Sequence, residues 1–220
     1  MRVVSVVILS LAAAFAETSG VTVQVTVERL QDNHWVAVDP HLVLHGGDEI
    51  RFRFRSNHAG YLYVVNHDGQ KRNTWLFPLP NTGEQNAIEP GKDYLIPATA
   101  GVFQIAEKPG FETTYWILSP EELRGRKTLN PDVINAERTP LLPRCGGGSG
   151  RDSLTARGPC TDGHAGAHRS YSAGIANWFD IAGPLQPCDL AVASGAAASH
   201  ITAAGDFEAP LIYEFRIAHQ

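Results

Sequence analysis

Residues 42–78 read LVLHGGDEIRFRFRSNHAGYLYVVNHDGQKRNTWLFP, and this stretch decides the fold. Ile50, Phe52 and Phe54 alternate with Arg51, Arg53 and Arg55. Successive side chains of a strand point to opposite faces, so one face here is apolar and the other carries guanidinium groups. That period places Phe54 in a core and Arg53 on the solvent side. Residues 57–60 have turn chemistry, and residues 61–65 follow as a run that is apolar on both faces. A half-buried strand turning into a fully buried one nucleates an antiparallel sheet.

Residues 1–16 have the pattern of a secretory signal. Arg2 supplies a positive start, an apolar run follows to Phe15, and Ala14-Phe15-Ala16 is a small-x-small cleavage site. The run is too short to span a bilayer comfortably, and no later apolar segment is long enough to cross a membrane. Residues 17–220 then form one domain of ordinary size. The formal net charge is −5 with no basic block, which argues against a nucleic-acid partner. Three cysteines in an exported chain allow one disulfide with one thiol left over.

The chain after the signal opens on alternation. Val21, Val23, Val25 and Val27 face one side, and Thr22, Gln24, Thr26 and Glu28 the other. Residues 31–33 read as a hairpin loop and residues 35–38 as its return, which Pro40 ends because proline cannot donate to a ladder. Leu42 and Leu44 begin a further strand that Gly46-Gly47-Asp48 turns into the arginine strand. Asp68-Gly69 is a tight turn, residues 74–77 return from it, and residues 87–89, 94–96, 102–106 and 113–118 are short extended pieces set off by Pro and Gly. Many short strands with no long helical period between them indicate an all-β antiparallel sandwich, immunoglobulin-like in general architecture.

At Ser119 the pattern changes. Ser119-Pro120-Glu121-Glu122 has the signature of a helix start, and Asn130-Pro131-Asp132 repeats it. Residues 144–206 are rich in Gly, Ala and Ser with weak apolar patterning, residues 177–181 and 190–192 being the candidates for ordered packing. Strand alternation returns with Leu211, Tyr213, Phe215 and Ile217. A C-terminal strand of that quality must pair with the sheet already formed. Residues 119–206 are therefore expected to be a long, loop-rich excursion holding one or two short helices, inserted before the last strand of a single domain.

Taken together, GDEIRFRFRSNHAGYLYVVNHDG, WLFP at 75–78, IEPGKDYLIP at 88–97, KPGFETTYWILSP at 108–120 and YEFRIAH at 213–219 resemble the bacterial domain of unknown function 4384. The resemblance implies a β-sandwich module of exported and cell-envelope proteins. It brings no established activity and no catalytic residue to carry over.

Each chemical feature stands beside a plainer reading. The stripe of Arg51, Arg53 and Arg55 suits planar anions, or else is a solvated face paired with acids. Trp178, in a Gly-rich polar context, is the candidate exposed aromatic, whereas Trp75 and Trp116 sit among apolar neighbours and read as core. Cys160, His164 and His168 have C-x3-H-x3-H spacing with Cys145 as a further ligand, but the residues between them specify no helix face, so no metal is expected. The glycines between Cys145 and Cys160 favour a disulfide there, leaving Cys188 reduced, with Cys160–Cys188 as the rival pairing. Glu107 and Glu112 flank the Pro109-Gly110 turn as a carboxylate pair or as two solvated acids. No phosphate loop, nucleophile elbow or H-E-x-x-H occurs, and no cofactor is indicated.

Two functions remain open on these grounds. The first is a non-catalytic binding module, periplasmic or extracellular, with a protein or envelope polymer as partner and Arg51, Arg53, Arg55 and Trp178 as candidate ligand surface. The alternative is an exported hydrolase of an envelope polymer, its site between sandwich and excursion.

Overall fold

A computed structural model describes residues 20–67, 73–123, 160, 162, 165–170, 185–191 and 197–220. Residues 1–16, expected from sequence to be a signal, lie outside these residues, as do Cys145, His164, Trp178 and most of the excursion. Among the described residues there are thirteen strands in two sheets and no helix.

The alternating valines form β1 (Gly20–Gln31), which turns through Asp32 and Asn33 into β2 (His34–Val38). Both turn residues have positive φ, 49° and 63°. That is the backbone a two-residue hairpin needs to match strand twist, and Asp and Asn tolerate it best among residues with a Cβ. The arginine strand is β3 (Glu49–Ser56), and the doubly apolar run is β4 (Gly60–His67). Gly60 opens β4 where the Ser119 carbonyl would lie 2.6 Å from any Cβ, so the close approach of the two strands requires glycine. There follow β5 (Asn73–Phe77), β6 (Ala87–Ile88), β7 (Asp93–Ile96), β8 (Phe103–Gln104) and β9 (Gly110–Ser119). The excursion contributes β10 (Gly166–Ser170), β11 (Asp189–Ala191) and β12 (Ala198–Ala204), and the chain closes on β13 (Leu211–His219).

One sheet runs β11-β12-β1-β3-β7, with β2 on β1 and β8 on β3. The other runs β10-β13-β9-β4-β5, with β6 on β4. Between them lies one apolar core drawn from both ends of the chain, from Val21 to Ile217. Trp116 is its centre. It stacks on Phe54 at 5.8 Å and on Tyr213 at 6.3 Å, and meets Phe52 edge-on at 5.2 Å. Its indole N–H donates to Thr114 Oγ1 at 2.8 Å, so the largest buried ring leaves no orphan donor. A second cluster of Tyr63, Val65, Tyr115, Ile117 and Ile212 covers the opposite face of the same sheet. Trp75 packs there, half-buried, 6.4 Å from Tyr63.

Two expectations need correction. Residues 42–44 form no strand leading into β3. The Leu44 N–H donates to the Ala218 carbonyl at 2.9 Å and the Gln220 N–H to the Leu44 carbonyl at 3.0 Å, so this segment lies parallel to the end of β13. Residues 120–123 do not begin a helix. The Leu123 N–H is taken instead by the Tyr63 hydroxyl at 2.9 Å, a tertiary bond that competes with a first helical turn; the second helix, at 130–132, falls outside the described residues. Within the excursion, expected to be loop-rich with ordered packing at 177–181 and 190–192, strands also form at 166–170 and 198–204. β12 pairs with β1 from Thr26↔Ala198 to Gly20↔Ala204, and β10 pairs with β13.

Candidate functional site

The arginine stripe lies on the outer face of the seven-stranded sheet, and its chemistry depends on β1. Antiparallel register sets Glu28 opposite Arg51 and Thr26 opposite Arg53. Arg51 Nε donates to Glu28 Oε2 at 2.6 Å, and Arg53 donates to Oε1 through Nε at 2.8 Å and Nη2 at 2.6 Å. Glu28 is only 5% exposed. Burial pushes its carboxyl up, but the hydrogen bonds and charges of Arg53 and Arg51 outweigh that and hold it below the ordinary 4.5. The same bonds to Glu28 raise Arg53 against its own desolvation. Arg51 also lies over the Trp35 ring, 4.3 Å from its centroid, a cation–π contact that uses its remaining face.

The stripe opens toward β7. Arg53 reaches Asp93 at 3.5 Å, and Arg55 approaches the same carboxylate no closer than 3.7 Å, beyond hydrogen-bond range. Side-chain exposure rises along the row, from 20% at Arg51 to 38% at Arg53 and 54% at Arg55. Two of the three predicted ligand-surface arginines are thus tied to a buried carboxylate, and Arg55 keeps donors facing solvent. Trp178, the fourth predicted position, lies outside the described residues.

Removing the buried member of this network should cost more than removing an exposed one. Glu28→Ala strands two guanidinium groups that water can partly reach, and the expected loss is about 2 kcal/mol, below the range for wholly buried pairs. Arg53→Ala leaves Glu28 held by Arg51 and should cost about 1 kcal/mol, more than an ordinary surface exchange. Urea melts of the two variants check the order. The Glu28 contribution should be complete above pH 4.5 and lost as the pH falls through the lowered folded-state value.

A second polar group sits at one end of the sandwich, where β4, β9 and β13 meet. Asn66 Nδ2 donates to Glu112 Oε2 at 2.7 Å, and His219 Nε2 lies 3.7 Å from Glu112 Oε1. Asn66 Oδ1 and His219 Nδ1 are buried without a hydrogen-bond partner. Burial lowers the His219 pKa below 6.5 by disfavouring the charged imidazole, a shift that the adjoining Ala106 backbone partly offsets. A lowered histidine stabilises the native state fully above 6.5, and that contribution shrinks as the pH falls from 6.5 toward the folded-state value. The variant His219→Gln should flatten the dependence of unfolding free energy on pH below 6.5 relative to the parent protein. An unchanged slope would show that His219 titrates alike in both states.

Glu107 and Glu112 do not form the carboxylate pair considered from sequence. Glu112 turns to Asn66, whereas the Glu107 carboxylate rests against Gly46 and Gly47. Cys160 packs with Val43, Ala165 and Ala218, and its carbonyl accepts from the Val43 N–H at 2.8 Å. Cys188 carries a thiol and packs on the main core, so the rival Cys160–Cys188 bridge does not form. The preferred Cys145–Cys160 pairing involves Cys145, outside the described residues, as does the metal reading through His164. Among the described residues no group of three or more His, Cys, Asp or Glu side chains could hold a metal ion. No helix among them is long and apolar enough to cross a membrane.

Sequence reasoning missed Glu28, Trp35, Asn66 and His219 as participants. The alternation of β1 does put Glu28 on its polar face, but only register joins it to Arg51, 23 residues away.

Strands β3 to β9 follow one another in sequence and contribute to both sheets, with the arginine face on β3. Residues 43–122 match the family model described as Domain of unknown function (DUF4384). The DUF4384 match takes in β3 to β9 and stops short of the C-terminal YEFRIAH. It also omits β1 and β13, the partners that complete each sheet around it. No curated protein and no solved structure matches the chain.

Proposed function

We propose that this chain is a non-catalytic, exported binding module of the bacterial cell envelope, with a protein or envelope polymer as its partner. The observation that supports this reading is the arginine face itself. Arg51 and Arg53 are anchored on buried Glu28, which fixes the orientation of both side chains and offsets part of their charge. Arg55 stands at its end as a half-exposed donor held only loosely by Asp93. A pre-ordered face with one available guanidinium suits recognition of an anionic group, because little side-chain entropy is lost on binding. The DUF4384 match assigns no activity.

Fractionated cell envelope passed over the immobilised protein tests the reading, with Arg55→Glu as comparison. Retention of one fraction by the parent protein and its loss in Arg55→Glu, at unchanged melting temperature, is the expected result. Equal retention by both, or release of soluble fragments from an envelope polymer, would overturn it, the latter in favour of the hydrolase.

A further inference from the structure

We infer that β2 is a self-association edge, through which two copies of this chain join their seven-stranded sheets antiparallel about Val36. Among the described residues β2 pairs with β1 alone. Its register runs from Gln31↔His34 to Val27↔Val38. A two-residue hairpin makes Gln31 and His34 a hydrogen-bonded pair, so His34, Val36 and Val38 direct their backbone groups to β1. Trp35 and Ala37 therefore direct theirs outward. Edge strands usually carry lysine, proline or a bulge against such pairing, and residues 35–38, Trp-Val-Ala-Val, have none of these. Val36 shares its side of the sheet with Val38, yet it is 42% exposed where Val38 is 9% exposed.

The outward groups of Trp35 and Ala37 admit few self-pairings. Centring on Trp35 opposes two indoles and sets Ala37 against Asn33, which has turn geometry with φ 63°. Centring on Ala37 sets Trp35 against Asp39, outside the strand. Each of these keeps a single hydrogen-bonded pair. Centring on Val36 sets Trp35 against Ala37 of the second copy twice over, a large residue on a small one, with both pairs exchanging their N–H···O bonds. The Trp35 ring already leans back over Arg51, which leaves the space above the opposing Ala37 open. The two Val36 side chains then meet as a close, non-hydrogen-bonded pair, and no charge lies on the axis. This complementarity selects a second copy of the chain as occupant, independently of what the arginine face binds.

Sedimentation of the purified protein over a concentration series reads the result. The parent protein should show a reversible monomer–dimer equilibrium. Val36→Lys and Val36→Glu, each placing like charges across the axis, should weaken it by about tenfold or more. An equimolar mixture of the two should recover a dimer, as only a residue that meets its own copy can. Val36→Cys gives a second readout that tolerates a poorly folded charge variant. Under oxidation it should yield a covalent dimer, with peptide mapping placing the bridge between the two introduced thiols. A monomeric parent protein, a dimer insensitive to both charges, a mixture that stays monomeric, or a Val36→Cys protein without that link would each overturn the proposal.

Discussion

Deletion of residues 208–220 is expected to abolish cooperative unfolding. All nine residues of β13 are buried, which is unusual for a chain terminus. One edge pairs with β9 over its whole length, from Leu211↔Leu118 to His219↔Gly110, and the other with β10. Leu211, Tyr213, Phe215 and Ile217 all enter the main core. Burial of four such side chains contributes about 6–12 kcal/mol, as large as the whole stability of an ordinary domain. Loss of β13 also exposes the edge of β9 and releases residues 44 and 46, whose N–H groups donate to Ala218 and Gln220. Thermal and urea melts of the truncated protein should show no sigmoidal transition. A transition like that of the full chain would mean that β13 is an addition to a core complete without it.

The second large effect is at Phe54. Its ring is 0% exposed and lies almost parallel to Trp116, with an interplanar angle of 6°. Phe54→Ala should cost about 3–5 kcal/mol, the sum of lost transfer energy and a cavity beside a ring that cannot collapse into it. The neighbouring Arg53→Ala, on the opposite face, should cost about a third of that or less. Urea melts with equal slopes for the two variants and the parent give the comparison. Equal losses would mean that Glu28, not the aromatic stack, dominates this part of the sheet.

The contrast between these neighbours shows what was legible in the chain. The two-residue period of β3 assigned Phe54 inward and Arg53 outward, and both are found so. It did not say that Arg53 would bind Glu28, 25 residues earlier, because a period states a face and not a partner. The same limit explains β12. Its sequence, ASHITAA, has few large apolar residues and reads as weak, yet it is an inner strand because β1 supplies seven residues of register for it to follow. Leu42 and Leu44 mislead in the opposite sense. Their alternation is real, but their backbone is claimed by the end of β13.

What the sequence by itself determined was whatever depends on near neighbours. That includes the all-β class, the alternation of β1, β3 and β13, the two-sided burial of β4, and the Asp32-Asn33 turn. Only the tertiary structure decided which strands became neighbours, which arginines were consumed by Glu28, and that His219 would lie buried beside Glu112. Those contacts join residues tens to a hundred positions apart, and they are selected by sheet register and burial acting on the whole chain at once.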